Sequence, residues 1–149
     1  MSKWLFKNDL PLILDVERVE VENFSSKDEF GGLGEGYTFE KYKLSKVTID
    51  EFRGGRSRLL PVKAGGWQRY GWSKGPIDSS FKEIIYMPLS YYNGNKKSEL
   101  VLQQVKKSLK RADVHYAFYY KSDRSNPQSV QLFVLDIKSR ELYAIDISI

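Results

Sequence analysis

The sequence contains no cysteine and a single histidine, His115. Without cysteine there is no disulfide framework, no thiolate zinc site and no thiol nucleophile. One imidazole rules out a histidine-rich metal site and a two-histidine acid/base pair. Long apolar runs are also missing: LPLIL is about the longest, and Asp15 closes it, whereas a bilayer span needs ~20 apolar residues. No membrane insertion is expected. Lys7, Asn8 and Asp9 interrupt the N-terminal segment before a signal-length apolar core develops, so export by a standard signal is not expected and a cytoplasmic location is. There is no G-x-x-x-x-G-K-[S/T] loop, no G-x-S-x-G elbow, and FGGLGEG lacks the strand and spacing of a dinucleotide fingerprint. The expectation is a chain without cofactor or metal.

What is present is the composition of a folding chain, with 41% hydrophobic, 14% aromatic and 29% charged residues. A length of 149 residues suits one domain with a real core. No repeat or Pro/Ser-rich linker divides it, so residues 1–149 read as a single domain. The net charge of +5 is unevenly spread, since residues 1 to 51 hold 7 Lys and Arg against 11 Asp and Glu. The rest is clearly basic, which allows either two surfaces of opposite sign or a remixing of both on folding.

The clearest element is an amphipathic helix over about 97–112, where Val101, Leu102, Val105, Leu109 and Ala112 recur at helical spacing and Ser98 is available as N-cap. Three strands rich in aromatic and β-branched residues follow, at 114–120, 130–136 and 141–149. The short IKSR link forces the last two to pair antiparallel, and the three read as a meander. Earlier, GYTFEKYKLSKVTID and EIIYMPLSYY read as strands, and residues 53–76 as a long glycine-containing connection. LILDVERVEVENF changes phase between Val16 and Val19, which fits a bulge or a helical start. The expected fold class is α+β: a mostly antiparallel sheet with one principal amphipathic helix followed by a three-strand C-terminal meander.

The most suggestive stretch is 53–76, RGGRSRLLPVKAGGWQRYGWSKGP. It carries Arg53, Arg56, Arg58, Lys63, Arg69 and Lys74 with Trp67, Tyr70 and Trp72, and has no acidic residue. Cations neutralise phosphates and aromatic faces stack on unpaired bases, so the pattern suits nucleic acid. Buried tryptophans under neighbouring strands would give the same sequence. Lys106, Lys107, Lys110 and Arg111 add a basic helix end, which the helix dipole alone also favours. His115 offers a general acid or base for RNA cleavage, or a strand histidine satisfied locally. Asp136 and Lys138 in VLDIK match a (D/E)-x-K nuclease pattern, with Asp113 or Asp123 as an earlier carboxylate, and match a hairpin end equally well.

These residues point to a non-enzymatic binding module, with nucleic acid slightly favoured as partner. A protein-binding inhibitor of the immunity type is the alternative, using the acidic residues Asp15, Glu17, Glu20 and Glu22 or the aromatic-basic segment as a patch. A small nuclease built on His115, or on Asp136 and Lys138, is the third reading.

Overall fold

A computed structural model of the chain describes residues 7–26, 37–55, 59–89, 96–123 and 126–148. Six strands form one antiparallel sheet: β1 (Val21–Ser26), β2 (Tyr37–Leu44), β3 (Trp67–Lys74), β4 (Val114–Asp123), β5 (Asn126–Asp136) and β6 (Glu141–Ser148). Their order across the sheet is β1-β2-β6-β5-β4-β3, so β1 and β3 are the edges and β5 and β6 lie in the middle. The period-two alternation of the central strands decides which side chains go to which face. Tyr116, Phe118, Leu132, Val134, Tyr143 and Ile145 fill one core, while Ala117, Tyr119, Phe133, Leu135, Leu142 and Ala144 fill another on the reverse side.

Each face is covered by helices, and this corrects the expectation of one principal helix. The expected helix at 97–112 is α4 (Lys96–Ser108). It begins ahead of Ser98 and ends before Ala112, and it lays Leu102 and Val105, with Leu109 just beyond, on the first face. Beside it lies α3 (Lys82–Leu89), in the stretch read from sequence as a strand. The aromatic and β-branched composition of EIIYMP suggested a strand, but Phe81, Ile84 and Ile85 at helical spacing reach the core together. Asp78, whose carboxylate accepts a hydrogen bond from the Ser80 amide at 2.9 Å, caps the short 3-10 turn that leads in.

The second face is covered by α1 (Leu10–Leu14) and α2 (Lys46–Gly54). The phase change in LILDVERVEVENF is therefore a helical start followed by β1. A left-handed Asp15 (φ 54°) ends the helix. GYTFEKYKLSKVTID is β2 for its first part only. Ser45 then stops the strand and starts α2, accepting a hydrogen bond from the Thr48 amide at 3.1 Å. Thr48, Ile49 and Phe52 form its buried stripe.

The 53–76 connection is corrected too, because its second half is the edge strand β3. Gly65 and Gly66, at φ +93° and +84°, make the turn that leads into it, in a conformation that residues with a Cβ rarely adopt. Tyr70 pairs with Phe118 and Ser73 with Tyr116, so Gly71 and Trp72 together oppose Ala117. This bulge changes the strand's phase and turns Trp72 to the second face while Tyr70 faces the first. Among the described residues, no helix is long and apolar enough to cross a membrane.

Candidate functional site

The fold divides the predicted binding residues between the two faces. Arg56 and Arg58 lie outside the described residues. Arg53 is exposed in the last turn of α2. On β3, Trp67, Arg69 and Lys74 take the same side as their β4 partners Lys121, Tyr119 and His115. Lys107 and Lys110 are exposed on and just past α4, which packs on the opposite face. Lys106 rests its ammonium 5.9 Å from the Tyr86 ring centroid.

Two of the three candidate aromatics belong to the core. Trp72 is only 4% exposed; its indole N–H donates to the Ile13 carbonyl at 2.7 Å and its ring meets Phe52 edge-on. Tyr70 packs against Phe81 and Phe118 with ring centroids 4.3 and 5.2 Å away. Trp67 alone is half-buried at the surface, and Lys63 and Lys121 hold their ammonium groups 4.3 and 5.4 Å from its ring. Arg69, one step along the same side of the edge strand, is exposed and donates to the Leu60 carbonyl. That bond pins the segment before β3 against the sheet.

Lys63 also belongs to a cleft of about 270 Å³ between the start of α1, the 61–63 segment and strands β4 and β5. Its ammonium donates to the Gln131 carbonyl at 2.5 Å, and the Gln131 amide donates to Asp146 at 3.2 Å. A polar chain thus runs from the cleft into the sheet. Burial pushes the Lys63 pKa down, while Asp146 and Asp9 pull it back up. Burial pushes the Asp146 carboxyl up, against the opposing effects of Gln131 and Lys63. The buried Oδ1 of Asp146 has no hydrogen-bond partner among the described residues. Tyr119 flanks the same cleft with its hydroxyl donating to the Pro61 carbonyl at 2.6 Å, and burial holds its phenol up at about 12.

Gln131, Asp146, Tyr119, Asp9 and Lys121 were not singled out from sequence. A signal existed for two of them: Gln131 and Asp146 fall in phase with the inward residues of VQLFVLD and ELYAIDISI. A polar residue at an apolar-phase position of a central strand marks a buried polar contact.

Among the remaining candidates, Arg111, Asp113 and Asp136 are engaged with one another. Arg111 is held by two carboxylates: Asp113 accepts from its Nε and Nη2 at 2.9 and 2.6 Å, and Asp136 from Nη1 and Nη2 at 3.0 and 3.1 Å. Asp136 also accepts from the Lys138 and Ser139 amides at 3.1 and 3.3 Å, which makes it the cap of the β5–β6 turn. Asp123 ends β4. His115 shares the side of Ala117 and Tyr119, and its ring meets Phe52 edge-on at 5.3 Å. No group of three or more potential metal ligands occurs among the described residues. The acidic and basic sections remix in part, because Glu22 pairs with Arg140 at 3.4 Å and Lys41 with Glu141 at 3.0 Å.

The fold and these side chains define a mixed α+β chain whose antiparallel sheet carries one basic, aromatic edge and one small polar-floored cleft. No family model, curated protein or solved structure matches the chain.

Proposed function

We propose that this chain is a non-enzymatic binding module that contacts the phosphate backbone of single-stranded nucleic acid along the β3 edge. The observation that carries the reading is Trp67, with two ammonium groups around its ring and Arg69 exposed on the same side of the strand. A partly exposed ring offers a face for one base, and the flanking cations neutralise the phosphates on either side. Lys74 extends the cationic line along the strand, and Arg53 is exposed on α2, the helix that covers that face.

Fluorescence anisotropy with a labelled single-stranded oligonucleotide tests this. Binding at low salt should weaken steeply at moderate salt. Trp67→Ala should cost about 1 to 3 kcal/mol of affinity if the ring stacks on a base. Absence of binding at low salt overturns the proposal.

A second reading, a protein inhibitor of the immunity type, draws on different residues. Leu12, Leu59 and Val62 are 65%, 62% and 79% exposed, and Leu12 and Val62 line the mouth of the cleft. Exposed apolar side chains of this size suit anchors for a partner protein. A nuclease-resistant complex recovered from native extract, lost on Leu12→Asp with Val62→Asp, supports this reading in place of the first.

A further inference from the structure

The cleft beside α1 places opposite charges against apolar walls. Lys63 lines it, fixed by Gln131. Asp9 lines it too; it stands at the N-cap position of α1 but makes no side-chain capping hydrogen bond, so its carboxylate is not committed to the helix. Leu12, Ile13, Val62 and Phe133 supply apolar lining, and Leu12 and Val62 are largely exposed. Among the described residues the Lys63 ammonium makes one hydrogen bond, to Gln131, and its other contacts are the Trp67 and Tyr119 rings at 4.3 and 5.4 Å, whereas an ammonium has three donors. The volume of about 270 Å³ falls just under the usual range of about 300 to 1,000 Å³ for small-molecule sites, which suits a ligand at the small end of that class.

We infer that this cleft binds a free apolar α-amino acid as its zwitterion, with the carboxylate on Lys63, the ammonium on Asp9 and the side chain against Leu12 and Val62. The inference does not rest on nucleic-acid binding at β3, but Lys63 takes part in both sites, so Asp9→Asn, which leaves Trp67 and its two lysines untouched, is the variant that separates them. A ligand with only one charge forgoes one of the two charge-assisted contacts, which weakens binding. A polar side chain would meet Leu12, Ile13 and Val62 and lose its hydration there. The polar chain from Lys63 through Gln131 to Asp146 orients the ammonium from behind, so its direction is set before a ligand arrives.

Isothermal titration calorimetry of the full chain with L-leucine, isocaproate, isoamylamine and L-serine tests the assignment at ligand concentrations up to about 10 mM. Leucine should bind, and each of the other three should bind at least about tenfold more weakly. Asp9→Asn, a change at an exposed side chain, should bring leucine down to the level of isocaproate. Lys63→Met should bring it down to the level of isoamylamine, with a thermal melt confirming that the variant is folded. If Lys63→Met does not fold, the Asp9→Asn comparison and the analogue series decide the question alone. No binding of leucine, equal binding of leucine and isocaproate, or leucine binding unchanged in Asp9→Asn each overturns the inference.

Discussion

The two faces of the sheet are built on different terms. The face under α3 and α4 is an apolar and aromatic wall, where Tyr70, Phe81 and Phe118 meet ring to ring at 4.3 to 5.5 Å. The face under α1 and α2 has as many buried side chains but is threaded with polar groups: Glu40, only 3% exposed, accepts from the Tyr42 hydroxyl, and Gln131 links Lys63 to Asp146. The first face gains chiefly from burial that needs no partner, with its polar groups Asp136 and Glu141 paired at one end of β5 and β6. The second holds groups whose desolvation must be met by specific hydrogen bonds, and it is also where the cleft and the basic edge lie.

The largest expected effect tests the first face. Phe118→Ala removes a fully buried ring from the aromatic wall and should cost about 3 to 5 kcal/mol in urea unfolding. A loss below about 1 kcal/mol would mean that this face relaxes around the gap and is not the tighter of the two. On the second face, Trp72→Phe keeps an aromatic ring and deletes the indole donor to Ile13. It should cost about 1 to 3 kcal/mol by leaving a buried carbonyl unmet, and a neutral result would show that the carbonyl finds another partner.

Acid titration separates the faces by sign. Glu141, on the first face, is pushed up by burial, but its ion pair with Lys41 leaves it below its ordinary value. Its contribution is therefore present above the unfolded-state pKa and lost as pH falls through the lowered folded value. Asp146 is the opposite case. Burial raises it, so ionising it costs stability, and that cost grows as pH rises from the ordinary carboxylate value through the raised one. Glu141→Gln should destabilise at neutral pH, whereas Asp146→Asn should match or exceed the parent there, with the advantage fading as the solution is acidified. Urea midpoints from about pH 3 to about pH 7 check both. A destabilised Asp146→Asn at neutral pH would show that the Lys63–Gln131–Asp146 chain is worth more than its desolvation. The smallest effect is expected at the rim of the first face, where Lys110→Ala removes an exposed cation and should change stability by less than about 0.5 kcal/mol.

Legibility from sequence followed the strength of each local pattern. α4 stands out because its apolar residues keep the helical period, and β4 to β6 because they are near-continuous runs of aromatic and β-branched residues buried on both faces. β3 does not, because Arg69, Gly71 and a bulge break the alternation of WQRYGWSK. α3 was misread because isoleucine and tyrosine favour strands locally, while the packing of Ile84 and Ile85 against the sheet overrides that preference. The basic stretch was visible as a set of residues but not as a surface. Its tryptophans face the same side, yet one is buried by Phe52 and the other is half-buried beside two lysines.

The sequence by itself determined that the chain has a core of mixed helix and strand, lacks thiol chemistry and concentrates cations between residues 53 and 76. Composition and short-range periodicity carry that information, because they depend only on neighbours along the chain. Only the tertiary structure decided that helices cover both faces, that Lys107 and Lys110 lie on the opposite face from Arg69 and Trp67, and that Asp9, Lys63, Gln131 and Asp146 converge. Those relations join residues up to 137 positions apart in the numbering, from Asp9 to Asp146. They are set by strand order and register, which hydrophobic burial and backbone pairing fix for the chain as a whole.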